Sequence, residues 1–356
     1  MVETDKRRHY DTIEAMNVSV IATVMNEGEA IRPLLDSLIA QSRPPDEVVI
    51  CDGGSSDDTV AILEGYRRWL PLKIIEAPGS NISAGRNRAI AAASGPAIAV
   101  TDAGVVLAPE WLAHLLRPLE ETSAMVVSGW FEPDPFTDFE VVMGATVLPE
   151  LRDVKPSTFL PSSRSVAFHK EAWQAVDGYP EWLDYGEDLI FDMALRERYG
   201  PFPLASRAVA YFRPRGSWRA FARQYFLYAR GDGKANLWPK RHAIRYLTYL
   251  AGLPLLGKLI WRNHPLGWAG LLLGGGFYCR QPARRLWPQT QEWPPPARLR
   301  GLAQIPFIRL LGDLAKMVGY PVGVWWRWRR RLGRRQPGST AVASEETNHE
   351  NGLRPR

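Results

Sequence analysis

The sequence predicts an α/β fold with a doubly wound, mostly parallel sheet, followed by a C-terminal helical segment that associates with a membrane. Apolar runs alternate with helical patterns over roughly the first 120 residues, which is typical of such a sheet. The run Val48–Cys51 is apolar and mainly β-branched, as in a strand covered on both faces. The first 200 residues hold 17 Lys and Arg against 32 Asp and Glu, a net charge of −15, whereas the rest hold 27 against 6, a net +21. An acidic head and a basic tail indicate that the tail meets an anionic surface.

The predicted elements follow one another in a regular order. The strands are Val18–Met25, Val48–Cys51, Leu72–Glu76, Ala97–Thr101 and Ser165–His169. The helices are a segment ending near Gln41, then Thr59–Trp69, Ser83–Ala93, Pro109–Leu119, Lys170–Val176 and Leu189–Leu195, with Pro109 at the first helical position. In open α/β sheets, ligands bind outside the carboxyl ends of the strands, so the residues after each strand are the candidates for function.

Two of these strand ends carry an aspartate. Asp52 follows the second strand and precedes Gly53 and Gly54, which allow a tight turn into the next helix. Asp102 follows the fourth strand. A carboxylate at this edge is well placed to hold the base or ribose of a nucleotide. The alternative for each is a structural aspartate that ends a strand.

Several enzyme classes are excluded by missing motifs. No G-x-G-x-x-G follows the first strand and no G-x-x-x-x-G-K-[ST] occurs, which argues against dinucleotide oxidoreductases and P-loop enzymes. No G-x-S-x-G supports a serine hydrolase, and the six histidines show no metal-site spacing.

Four segments in this order resemble the family-2 inverting glycosyltransferases, which have the GT-A fold. They are the first strand ending in Asn26-Glu27, the run VVICDGGSSDDT at 48–59, the segment Ala84–Asn87 and the segment Thr101–Gly104. The resemblance extends from about residue 18 to residue 233. It implies a sugar nucleotide as donor, with Asp52 on the nucleobase or ribose and Arg86 beside the donor. It also places Thr23, Asn26 and Glu27 among the substrate-binding residues.

The metal-binding motif of this family is altered here. The family's D-x-D places its last aspartate on a divalent metal, and Asp102 matches the first aspartate, whereas Gly104 stands at the last. Glycine has no ligand atom, so Mg²⁺ or Mn²⁺ would have to use Asp102, water or another acid. The resemblance therefore implies a divalent metal on Asp102, but the sequence leaves metal dependence open.

The candidate general base lies further along the chain. Gly178-Tyr179 and Gly186-Glu187-Asp188 are similar to the family's Gly-Tyr…Glu-Asp element, which implies that Asp188 is the base and that Glu187 belongs to the substrate site. The N-terminus of the predicted helix favours ionised carboxylates. The alternative is that both acids only offset the helix dipole.

Arg223 and Arg230 lie seven residues apart on one predicted helical face and could contact a diphosphate on donor or lipid. A solvated basic face is the alternative. Processive family members carry Q-x-x-R-W in this region, but Gln224 is followed by Tyr-Phe-Leu. This difference favours single sugar additions over polymer synthesis.

The C-terminal part combines apolar runs with basic residues. Ala243–Trp261 and Pro265–Cys279 favour a shallow or re-entrant hairpin over two short spans, and a buried helical pair is a third reading. Pro288–Pro296 reads as a linker and Leu299–Val318 as an interfacial amphipathic helix. The following Trp325–Arg331 suits the headgroup region of a membrane, with an RNA-binding arm as the alternative.

The sequence thus predicts an N-terminal extension (1–16), a glycosyltransferase domain (17–235), membrane-associated helices (236–335) and a disordered tail (336–356). The expected partners are a nucleoside-diphosphate sugar, an acceptor glycan or glycolipid and an anionic membrane, with no nucleic acid. Two distant cysteines and an N-terminus without an apolar leader favour a cytosolic head. A non-catalytic sugar-nucleotide-binding subunit of a membrane assembly is the alternative. The sugar, the base and the acceptor cannot be read from the sequence.

Overall fold

The computed structural model describes residues 16–335, with side chains up to residue 330. The predicted tail 336–356 and nearly all of the predicted extension 1–16 lie outside this range. One eight-stranded sheet organises the chain, in the order β3-β2-β1-β4-β7-β6-β8-β5. The strands are β1 (Val18–Val24), β2 (Glu47–Asp52), β3 (Leu72–Glu76), β4 (Ala97–Val100), β5 (Val105–Leu107), β6 (Val126–Pro133), β7 (Val166–His169) and β8 (Leu204–Phe212).

Twelve α-helices accompany the sheet within the described range. They are α1 (Arg32–Ile39), α2 (Thr59–Tyr66), α3 (Ile82–Ala92), α4 (Trp111–Glu121), α5 (Asp138–Val147), α6 (Lys170–Gln174), α7 (Glu187–Tyr199), α8 (Trp218–Ala235), α9 (Pro239–Leu247), α10 (Leu253–Trp261), α11 (Pro265–Gln289) and α12 (Pro295–Arg335).

The sheet is parallel in its first half and mixed in its second. β1 pairs in parallel with β2 and β4, and β2 with β3, as the βα alternation predicts. β7 then pairs antiparallel with both β4 and β6, and β5 pairs antiparallel with β8, while β6 and β8 are parallel. The strand order reverses between β1 and β4, so the ligand crevice of an open α/β sheet is expected at the carboxyl ends of these two strands.

Helices cover both faces of the sheet. One apolar core lies under α1, α2 and α4, with Trp111 buried at its centre. A second core on the opposite face includes α3, α6 and α7, where Phe191 packs edge-on against Phe168 of β7. A third cluster joins α5, α8, α11 and α12 around Phe221. The α/β class is thereby confirmed.

Helix boundaries differ from the predictions at several places, and three of the differences lie next to prolines. Pro109 lies before α4, whose N-cap is Glu110, so its predicted position inside the helix is wrong. α11 continues through Pro288, which shortens the predicted linker to residues 290–294. α12 begins at Pro295 and Pro296, since a helix start tolerates proline, and it continues to Arg335 rather than ending at Val318.

The predicted hairpin is present as two helices. α10 and α11 pack against each other, and the turn between them is Arg262–His264. In the described residues, none of the helices has both the length and the apolarity that a bilayer crossing requires.

Candidate active site

The turn after β2 is organised by Asp52. This buried carboxylate accepts hydrogen bonds from the backbone amides of Gly54 and Ser55, each at 2.9 Å, and from the Ser55 hydroxyl. Gly54 adopts a left-handed backbone (φ +103°), and an added Cβ would lie 3.1 Å from the Pro78 Cα. Asp52 therefore shapes this turn. This is also what a structural aspartate at a strand end, the alternative stated above, would do.

The turn after β1 is tied to the turn after β2. The Asn26 amide donates to the Ser55 hydroxyl at 2.8 Å, and the Asn26 side-chain oxygen accepts from the Ser56 amide at 2.8 Å. The Glu27 amide donates to the Thr59 hydroxyl at 2.9 Å. The structure thus brings Asn26, Glu27 and Asp52 into one pair of joined loops at the carboxyl edge.

Thr23 lies on β1, one residue before the strand ends, and contacts α3. A Cβ added at Gly85 of α3 would lie 2.9 Å from the Thr23 Cγ2 atom. This close approach requires glycine and sets the distance of α3 from the sheet. α3 carries Arg86 on its next residue.

Arg86 joins two predicted site residues from different parts of the chain. Its Nη1 donates to Glu187 Oε1 and its Nη2 to Asp102 Oδ1, both at 2.7 Å. The guanidinium is 2% exposed and lies over the Tyr179 ring, 5.3 Å from its centroid. Arg86 is therefore held by protein carboxylates beneath the edge of the sheet.

Asp102 lies between two arginines. Burial raises its pKa, but the charges of Arg86 and Arg164 outweigh burial and hold the pKa below its usual range. The Arg164 Nε atom is 3.7 Å from Asp102 Oδ2. Two guanidinium groups beside one carboxylate keep this carboxylate ionised.

The residues around Asp102 do not fit a divalent metal well. The Cβ position of Gly104 faces open space, so the residue that would supply the second carboxylate has no ligand atom. Asp102 already neutralises Arg86, and the adjacent cations oppose the approach of a dication. Within residues 16–335, no group of three or more His, Cys, Asp or Glu side chains could hold a metal ion.

Glu187 and Asp188 open α7 in different environments. Glu187 is 7% exposed, and burial together with the charge of Asp188 raises its pKa to about 7 despite the Arg86 contact. Asp188 is partly exposed, and its Oδ1 accepts from the Leu189 amide at 2.8 Å. Gly186 caps the helix with a left-handed backbone (φ +78°). The predicted helix start is confirmed, and it presents one buried acid and one accessible acid.

Two further residues of this region were not singled out from the sequence. Asp192, one turn after Asp188, is buried, and its Oδ2 has no hydrogen-bond partner; burial raises its pKa well above the usual range. Asn87 of α3 accepts from the Tyr179 amide at 2.8 Å and donates to the Tyr179 carbonyl at 2.8 Å. Asn87 thereby fixes the loop that leads to α7, and its position beside Arg86 in the motif was the available signal.

Arg230 lies on α8 and contacts the loop before α7. Its Nη2 pairs with Asp184 Oδ2, and Lys234 Nζ pairs with Asp184 Oδ1 at 2.6 Å. Arg223, predicted to share a face with Arg230, is exposed. Arg230 is therefore joined to the candidate site through Asp184 rather than through the Arg86 network.

Comparison with known proteins identifies the domain. Residues 19–159 match the family described as Glycosyl transferase family 2. A glycosyltransferase of Bacillus subtilis is 29% identical over 119 residues, 33% of this chain and 35% of that protein. The chondroitin synthase of Pasteurella multocida is 26% identical over 182 residues, 50% of this chain and 18% of the synthase. The matched region thus spans about a third or less of these two relatives.

A solved structure supports the fold. The mannosyltransferase of Pyrobaculum calidifontis, determined in complex with GDP-mannose and Mn²⁺, superposes with a TM-score of 0.53 at 19% identity and covers 87% of each chain. This similarity concerns the fold, which is the GT-A fold. With the match over residues 19–159, the chain carries a family-2 glycosyltransferase domain on this fold.

Proposed function

We propose that the protein is an inverting glycosyltransferase that moves a sugar from a nucleoside-diphosphate donor to an acceptor hydroxyl. The observation that carries the proposal is Asp188, an accessible carboxylate at a helix N-terminus. It adjoins Glu187, which the Arg86 network joins to the end of β4. The family of the domain supports a sugar nucleotide as donor.

Inverting transfer needs one base that removes the proton of the attacking hydroxyl. Neighbouring carboxylates in unlike environments divide such roles. Glu187 is buried, held by Arg86, and burial together with the charge of Asp188 raises its pKa to about 7. Asp188, the accessible carboxylate of the pair at the helix N-terminus, is the group proposed to accept the proton of the acceptor hydroxyl.

The donor is proposed to lie over the joined loops after β1 and β2, with its nucleoside against the turn that Asp52 shapes and its sugar toward Asp188. Asn26, Glu27 and Asp52 organise these loops through the hydrogen bonds described above. The complex of the Pyrobaculum mannosyltransferase with GDP-mannose supports this use of the fold.

A non-catalytic sugar-nucleotide-binding subunit is the second candidate. Gly104 favours it, because the family's last metal-binding aspartate is missing at that position. Both candidates predict donor binding, and only the enzyme predicts that the bound donor is consumed.

Donor binding can be measured as a rise in melting temperature. UDP-, GDP- and dTDP-sugars are added to the full chain, with ATP and NAD⁺ as controls. At a concentration a hundredfold above Kd, a specific donor stabilises the folded state by about 2.7 kcal/mol, which raises Tm by a few degrees. One class of sugar nucleotide is expected to give this rise. Equal effects of all five ligands would refute the proposed donor.

We also propose that the protein works at the cytosolic face of a membrane, on a lipid-linked or cell-envelope acceptor. The hairpin α10–α11 exposes large apolar side chains, among them Trp261 (88% exposed), Leu273 (76%) and Phe277 (81%). Residues 233–291 contain nine Lys and Arg and no Asp or Glu. Apolar side chains flanked by cations only are suited to an anionic lipid surface.

Vesicle binding tests the membrane proposal. The full chain is expected to sediment with vesicles that contain phosphatidylglycerol and much less with pure phosphatidylcholine. Leu273→Asp places a charge on the apolar surface and is expected to weaken binding severalfold. Ile39→Asp makes the same kind of change at an exposed position of α1 and should leave binding unchanged. Equal binding of the two variants would contradict the proposal.

A further inference from the structure

We infer that arginine side chains, chiefly Arg164, bind the diphosphate of the donor in place of the metal that the fold family uses. The inference rests on the proposed function, since it concerns how the same donor is held. Its first support is the region around Asp102, where Gly104 supplies no ligand and the remaining carboxylate is engaged by Arg86. A diphosphate brought to this edge therefore needs positive charge from another group.

The sheet topology places Arg164 at the edge where the donor is proposed to lie. β7 runs antiparallel to β4, so the residues before β7 lie beside the residues that follow β4. Arg164 is two residues before β7, and its backbone carbonyl accepts from the Thr101 hydroxyl at 3.1 Å. This hydrogen bond fixes the backbone of Arg164 next to Asp102.

The side chain of Arg164 is positioned and still accessible. Its Nη1 donates to the Ser162 hydroxyl at 3.0 Å, and its guanidinium lies 4.6 Å from the centroid of the Phe212 ring. The side chain is 25% exposed, and its 3.7 Å contact with Asp102 is longer than a direct hydrogen bond. Arg86 already forms the short bond to Asp102, so the partly exposed guanidinium of Arg164 can donate to a phosphate in addition to its bond to Ser162.

A second arginine reaches the same edge from another loop. β8 runs parallel to β6, and β6 and β4 are both antiparallel to β7, so the end of β8 lies at the same edge as the end of β4. Arg215 follows β8 and is exposed. Burial raises the pKa of Glu27 and of the Tyr228 hydroxyl; the charge of Arg215 opposes this rise at both groups, and the charge of Arg164 opposes it at Tyr228. The strand pairing therefore places Arg164 and the loop that carries Arg215 at the same edge of the sheet.

The test is calorimetric binding of UDP, GDP and dTDP to the full chain in EDTA, with the matching monophosphates measured in parallel. Arg164→Gln removes the charge and is expected to lower the affinity for the diphosphate by about tenfold or more. This is the usual loss when a hydrogen bond to a charged group is removed. The monophosphate, which lacks the second phosphate, should lose less. Arg207→Gln removes an exposed arginine of β8 and should bind as the unchanged protein does.

The melting temperature of each variant without ligand is measured as the control for folding. If Arg164→Gln is unfolded, Arg164→Lys carries the test, because it keeps the charge but loses the bidentate fork, and it too is expected to bind the diphosphate more weakly. Diphosphate binding in EDTA that no Arg164 variant weakens would overturn the inference. Binding that appears only after Mn²⁺ is added would also overturn it while leaving the proposed function intact. No diphosphate binding with or without Mn²⁺ would overturn both.

Discussion

Arg86 is a buried cation whose two terminal nitrogens each bind a carboxylate from a different loop. The family motif predicts Arg86 as a donor-binding residue, and this role stays a prediction. The structure shows instead a contact that the sequence could not give, since Asp102 and Glu187 are 85 residues apart in the chain. Strand ends can be read from local patterns, whereas the pairing of side chains across loops depends on the whole fold.

Asp102, predicted as a metal ligand, likewise has neighbours that depend on the whole fold. The sequence shows that Gly104 lacks a ligand atom, but it does not show that Arg164 lies beside Asp102. Arg164 precedes an antiparallel strand and belongs to no motif, so no sequence signal marks it. Topology alone brings it to the edge where β4 ends.

Among the elements, the predicted strands and the helices α2, α3, α6 and α7 are confirmed to within a few residues. Their patterns are local, because apolar periodicity and caps are set by neighbouring residues. α12 was predicted to end at Val318, before Gly319 and Pro321, which are usually helix-terminating residues. The helix continues through Gly319, whose backbone lies against α8: a Cβ there would overlap the Phe226 carbonyl oxygen.

α8 and α12 approach each other through glycines. A Cβ at Gly323 would overlap the Arg230 carbonyl oxygen and lie 2.7 Å from the Lys234 amide nitrogen. A Cβ at Gly233 would lie 2.8 Å from the Val324 amide nitrogen. Backbone contact of this kind leaves no room for a side chain. Arg230 and Lys234 of α8 form salt bridges with Asp184. The helix pair therefore supports the loop that precedes the candidate base.

Gly323→Ala is therefore expected to lower stability. Overpacking at a backbone contact costs about 1–3 kcal/mol, so the chemical-denaturation midpoint should fall clearly. Gly275→Ala is the matched control, because a Cβ at Gly275 of α11 meets nothing within 4 Å and alanine favours a helix by about 1 kcal/mol. Equal midpoints for the two variants would show that α8 and α12 do not pack through these glycines.

For the molecule as a whole, the βα alternation in the sequence predicts the sheet, and the charge asymmetry predicts a basic C-terminal surface. The alternation predicts the parallel half of the sheet, and it fails for β5, β6 and β8, whose partners are far away in the chain. The apolar hairpin was predicted from composition, and the structure shows its side chains exposed rather than buried. Which surface covers them stays a proposal, because composition and exposure do not identify a partner.

The division into a glycosyltransferase domain and membrane-associated helices also stays a prediction. α8, from the first of these parts, packs along α12 from the second. The region that holds Asp188 is thus in contact with the helices proposed to meet the membrane. α8 in turn contacts Asp184, in the loop that precedes α7, through Arg230 and Lys234.

The most direct test of the account is the effect of Asp188→Asn on turnover of the donor found by the melting experiment. Release of nucleoside diphosphate is measured with water as acceptor, and proton NMR reports the anomer of the released sugar. Asp177→Asn is the control, because it makes the same chemical change at an exposed residue whose left-handed backbone (φ +58°) suits asparagine.

We expect the unchanged protein and Asp177→Asn to release the inverted anomer. We predict a loss of about a hundredfold or more for Asp188→Asn, with donor binding retained, as expected when a general base is removed. An Asp188→Asn protein as active as the control, or a released sugar that keeps the donor's configuration, would contradict the central claim.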